Sequence, residues 1–210
     1  MKSELGSKTM SQKIMIDGDL CMEIRAADVL YKSNISVVVL MIEHHFKDAV
    51  DNVTGSPMFE GLISECMNTL LDWEELKTGM IKSIEMPEGK EIASWNLMYD
   101  TCEFDFTVTD VRMPVATFDV NEDVCHRIQQ AHTRVDALRE IQSTLLDSNR
   151  LDSTHMYLKS KVFAGMRDIF TKAEREFDDQ KKRMIDGVIP AEYFGHDWDL
   201  SYTDCKLRVY

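Results

Sequence analysis

The sequence has no run of about 18 apolar residues, the length a membrane-spanning helix needs. Its longest apolar run is Val37 to Ile42, so no membrane span is expected. It has no GxGxxG and no GxxxxGKS/T, so no glycine-rich phosphate loop is legible. GxSxG, HExxH and CxxC are missing as well. That removes the nucleophile elbow, the zinc protease helix and the paired-thiol metal knuckle as local signatures. The polar start, Met1 to Gln12, lacks the apolar centre of a secretory leader. It is expected to be a mobile arm. Basic residues are scarce against acidic ones, 24 to 37, for a formal charge of −13. Direct nucleic-acid binding needs clustered Lys and Arg, so it is not expected. No internal repeat and no low-complexity segment is apparent along the chain.

What is present reads as an ordinary folded protein. Apolar residues make up 44% of the 210 and charged residues 29%. A chain this long buries roughly 70% of its unfolded surface and needs no metal or disulfide staple. Five cysteines, Cys21, Cys66, Cys102, Cys125 and Cys205, are widely spaced and odd in number. They read as reduced, mostly buried thiols, which points to a reducing, cytoplasmic setting. Charge is uneven. Residues 88–123 carry −7, whereas residues 124–185 carry +3. One acidic block thus adjoins one mildly basic block.

The expected fold class is α+β: a small antiparallel sheet packed with two core helices, then a long C-terminal antiparallel helical hairpin and a docked aromatic tail. The division is an arm over 1–12, a core over 13–120, a hairpin over 121–187 and a tail over 188–210. Asp17-Gly18 is a turn signal between alternating apolar residues and suggests a β-hairpin over Lys13 to Ile24. Arg25 to Lys32 is ambiguous. Asn34 can cap a helix from Ile35 to Asp51 that is buried on most sides. Ser56-Pro57 opens a second helix that Gly79 stops. Glu91 to Tyr99 and Cys102 to Val108 read as strands, the latter with Phe104 and Phe106 inward and Glu103 and Asp105 outward. Val115 to Val120 and Lys206 to Tyr210 read as edge strands. Asn121 caps a long helix with Glu122 and Asp123 in its first turn. After a short connection at Ser148 to Asp152, Ser153 or Thr154 caps the last helix, which Gly187 and Pro190 end.

Candidate chemistry is sparse. His44, Asp48 and Asp51 sit one turn apart on a helix and could hold a hard divalent cation. A solvated helix face accounts for them more simply. Asp48 and Asp51 also supply half of a magnesium-binding ExxD pattern, without its partner. Cys125 and His126 are helix neighbours pointing about 100° apart, which does not make a nucleophile–base pair. His196 lies between acidic and aromatic residues in a loop of the tail. Candidate partner-binding residues are Glu103 and Asp105 on the acidic strand and Tyr193, Phe194, Trp198 and Tyr202 in the tail. Free tails are seldom so aromatic, so this one should dock on its own core or on a partner.

The leading functional expectation is a non-catalytic interaction or assembly protein, such as a subunit of a larger particle. It would act through the hairpin, the acidic sheet face and the aromatic tail, with a protein partner or a second copy. A metal-dependent enzyme acting on a nucleotide-like small molecule is the first alternative. An acidic regulator that covers a basic site on another protein is the second. No cofactor is indicated beyond that possible divalent metal.

Overall fold

The computed structural model describes residues 10–47, 56–147 and 161–210. The chain is α+β, and the described residues form four long helices and two three-stranded antiparallel sheets. In order these are β1 (Met10–Met15), α1 (Gly18–Lys47), α2 (Pro57–Lys82), β2 (Lys90–Met98), β3 (Glu103–Asp110), β4 (Ala116–Asp119), α3 (Glu122–Asp147), α4 (Lys161–Val188), β5 (Trp198–Ser201) and β6 (Lys206–Val209). A short 3-10 turn, Ala191–Tyr193, links α4 to β5. No helix among the described residues is long and apolar enough to cross a membrane.

The chain divides into two compact units. Of the described residues, unit 1 holds 10–28 and 72–113, and unit 2 holds those within 29–71 and 114–210. In unit 1 the sheet order is β1-β3-β2. Phe104, Phe106 and Val108 point from β3 into a core with Cys21, Ile24, Met80 and Leu97. The alternation along β3 is the reason: one face is apolar, and only that face is buried. In unit 2 the order is β4-β6-β5. Leu207 and Val209 of β6 lie in a core with Val120, Cys125, Ile128, Met184 and Ile189. Helices α3 and α4 run antiparallel there, since Ile128 shares a core with Met184 and His132 stacks on Phe177. Tyr193, Trp198 and Tyr202 pack on this same core, so the aromatic tail docks on its own chain.

The two sheets are copies of one design, a repeat not apparent along the sequence. Each follows strand, helix, helix, strand, strand, with the third strand central. Register matches pair by pair: Ile14↔Phe104 with Phe118↔Leu207, Trp95↔Phe106 with Trp198↔Val209, and Leu97↔Phe104 with Leu200↔Leu207. Local bonds match as well. Asp17 Oδ1 accepts from the amides of Asp19 and Leu20, as Asn121 Oδ1 does from Asp123 and Val124. The Ile16 amide donates to the Cys102 carbonyl at 2.9 Å, and the Val120 amide to that of Cys205 at 2.8 Å. Once aligned this way, the sequence yields the repeat: Trp-x-Leu-x-Tyr-x-x-Cys at Trp95–Cys102 and again at Trp198–Cys205.

Several local expectations change. Asp17-Gly18 is no hairpin turn; Asp17 caps α1, because its carboxylate takes two first-turn amides. Hence α1 runs unbroken through the ambiguous Arg25–Lys32, and Asn34 lies inside it, donating to Thr69 Oγ1 of α2. Ser56 does cap α2, accepting from the Phe59 amide. Gly79 fails to stop that helix, which continues to Lys82; an interior glycine costs only about 1 kcal/mol. Lys206 to Tyr210 supplies the central strand of the second sheet rather than an edge. Residues 10–12 of the expected arm belong to β1. The rest of that arm, the 148–152 connection and the Ser153 or Thr154 cap lie outside the described residues.

Candidate interaction surface

Helix α1 carries apolar residues on two opposite faces, the buried one also holding Asp28. At 100° per residue, Ile24, Asp28, Tyr31, Ile35, Val38 and Ile42 fall on one side, and all are buried. The opposite side, within unit 2, presents Val29, Leu30, Val37 and Leu40, exposed at 55, 53, 49 and 51%. The expectation that this segment is buried on most sides is therefore corrected. A helix apolar all round is ordinarily enclosed, yet this one is enclosed on one side only.

Chemistry across the exposed face is uniform. Ser33 and Ser36 lie at its centre and turn their hydroxyls back onto the carbonyls of Val29 and Lys32, at 2.7 and 2.9 Å. Their donors are thus satisfied within the helix, which lowers the polarity of the face. From Val29 to Leu40 the one charged residue at its border is Lys32. No acid interrupts it, in a chain of net charge −13.

The residues singled out by sequence are dispersed. His44 is exposed near the end of α1. Asp48 and Asp51 lie outside the described residues. Among the described residues no group of three His, Cys, Asp or Glu side chains converges for a metal. Glu103 and Asp105 do share the outer face of β3, but they are not a bare acidic patch. Lys13 of β1 stands 2.6 Å from Glu103 and 3.9 Å from Asp105, and Ser11 donates to Asp105 at 3.1 Å. Tyr193 meets Phe118 edge-on at 5.7 Å, and Tyr202 shares a 3.3 Å hydrogen bond with His132 Nδ1. Burial pushes the Tyr202 phenol up to about 12. Of the aromatic set only Phe194 is largely exposed, at 56%.

One arrangement that sequence reading passed over occurs in both units. Lys77 sits 3.6 Å over the Trp73 ring and 5.7 Å from that of Trp95, paired with Glu74. Lys181 sits 4.8 Å over Phe177 and 5.5 Å from Trp198, with Asp178 at 3.9 Å. An ammonium between two rings and a carboxylate ties the second helix of each unit to its sheet. The recurring aromatic–acid–acid–x–Lys, Trp73–Lys77 and Phe177–Lys181, was the available signal. The ammonium of Lys77 is largely enclosed, whereas Lys181 and both carboxylates stay open to solvent, and each contact lies within its own unit.

Comparison with protein families, with curated proteins and with solved structures finds no match to this chain.

Proposed function

We propose that this is a non-catalytic assembly protein, and that its primary contact is the outer face of α1 against the same face of a second copy. The exposed apolar stripe of Val29, Leu30, Val37 and Leu40 carries this reading. A twofold axis near Ser33 and Ser36 sets Val29 of one copy against Leu40 of the other, with small residues where the helices cross. Such a surface is self-complementary, as a symmetric dimer requires. Charge leaves a second copy this one approach: chains of −13 repel each other overall, but between Val29 and Leu40 the face brings no acid toward its mate. One helix pair is a small interface, so the affinity should be on the order of micromolar.

This narrows the expected surfaces. Most tail aromatics are already used inside unit 2, and the acidic strand is partly neutralised by Lys13. The test is analytical ultracentrifugation of Leu40→Glu beside Val115→Glu, a somewhat more exposed apolar position outside α1. Leu40→Glu should sediment as a monomer with unchanged circular dichroism, and Val115→Glu should behave as the parent. Equal association of all three would overturn the reading.

A further inference from the structure

The five cysteines sort into two equivalent pairs and one single. Cys21 lies in the first turn of α1 and Cys102 in the turn between β2 and β3. Both thiols point at one atom, the Tyr99 carbonyl oxygen, each at 3.9 Å, and they interact with each other. In unit 2, Cys125 occupies the first turn of α3 and Cys205 the turn between β5 and β6. The Cys205 thiol points at the Tyr202 carbonyl at 4.0 Å, and it too interacts with its partner, Cys125. Cys66 lies apart on α2.

Backbone conformation marks the turn cysteines. Cys102 and Cys205 have φ of 54° and 49°, the only positive values at non-glycine residues among those described. That region is strained for an L-residue and is ordinarily filled by Gly or Asn. Cysteine holds it in both units, and in both the strained turn brings its sulfur to a thiol on the adjacent helix. Packing alone does not call for sulfur at a left-handed turn.

We propose that Cys21–Cys102 and Cys125–Cys205 are two disulfide sites, each closing within its own unit when the chain meets a disulfide oxidant such as oxidised glutathione. Cys102 and Cys205 are partly exposed, whereas Cys21 and Cys125 are fully buried. The order of events follows. The Cys102 thiolate attacks oxidised glutathione, forms a mixed disulfide and releases one glutathione thiolate. The Cys21 thiolate then attacks the Cys102 sulfur and expels the second. Two thiols lose two protons and two electrons, and two reduced glutathiones carry them away. Cys125 and Cys205 react in the same way.

The second step is slow near neutrality. In the reduced chain burial and the neighbouring Cys102 push the Cys21 thiol up to about 11, with Arg25 opposing, and burial, the largest cause, still holds it up once Cys102 carries glutathione. Burial, Cys205, Asp204 and Glu122 push Cys125 up to about 12. Closure needs the thiolate, so its rate should rise about tenfold per pH unit between 7 and 9. The closed bridges constrain the unfolded chain and should raise the melting temperature.

The experiment incubates the full-length protein with oxidised glutathione at pH 8.5, alkylates remaining thiols, and maps non-reduced peptides by mass spectrometry. The expected result is two linked peptide pairs, each lighter by two hydrogens, Cys21 with Cys102 and Cys125 with Cys205, and Cys66 alkylated after denaturation. Dithiothreitol should reverse both. Cys21→Ser should leave a stable glutathione adduct on Cys102 while unit 2 still closes. Cys102→Ser, altered at the accessible position, should leave unit 1 reduced with no adduct. Other linkages, or glutathione adducts that never close in the parent chain, would overturn the assignment. The outcome is independent of self-association through α1.

Discussion

At the scale of single residues, Lys77 and Lys181 offer a matched comparison. Both sit against aromatic rings, but Lys77 is closer to its ring and its side chain is 10% exposed against 32% for Lys181. Lys77→Ala removes a desolvated cation–π contact and a well-packed stem, and should cost about 2 kcal/mol in urea unfolding. Lys181→Ala, more solvated, should cost under about 1 kcal/mol. Equal losses would contradict the geometry. Titration gives a second test. Tyr202 is held neutral by burial, with its phenol raised to about 12. Its folded value lies above the unfolded value of about 10. The associated stability is present in full below pH 10 and is lost as pH rises toward 12. Buried thiols at Cys21, Cys66 and Cys125, raised to about 11, 11 and 12, add to this loss from about pH 9. The melting temperature should therefore hold steady through pH 7–8.5 and fall above pH 9. Tyr202→Phe should lower it at pH 7, losing the hydrogen bond to His132, and should flatten the fall above pH 10.

At the scale of elements, caps decide where helices begin. Asn121→Ala leaves two first-turn amides of α3 without their acceptor and should cost about 1 kcal/mol, with Asp17→Ala similar for α1. Restoring Asn121 as Ser should recover most of the loss. The Asn121 and Ser56 caps were legible in the sequence, as was the alternation of Phe104, Phe106 and Val108. The Asp17 cap was not, because Asp-Gly before alternating apolar residues is also the strongest short hairpin signal. Both readings are locally sound, and the pairing of β1 with β3 rather than with the next segment settles them. The second face of α1 was hidden for a related reason. An all-round apolar helix reads as enclosed, and only the fold distinguishes enclosure from a spare face. The repeat escaped notice because its identities are few. Ile24 with Ile128, Lys77 with Lys181 and Met80 with Met184 keep one spacing, which then slips by a residue before Trp95 with Trp198. The paired cysteines were counted as scattered for the same reason.

At the scale of the whole molecule, charge and apolar surface pull in opposite directions. In the proposed assembly a net −13 keeps copies apart, and the outer face of α1, which carries no acid from Val29 to Leu40, is where they would meet. An interface of this kind has a characteristic salt response. Screening weakens the repulsion between copies and leaves apolar contact intact, so association should strengthen with salt. Pairing between the acidic 88–123 segment and the basic 124–185 segment of another copy would weaken instead. The most direct measurement is the light-scattering mass of the purified chain from about 1 to 200 μM, at low and at high salt. The account predicts a monomer that passes to a dimer across that range, at lower concentration in high salt. A monomer at every concentration, or a dimer that salt dissolves, would contradict it.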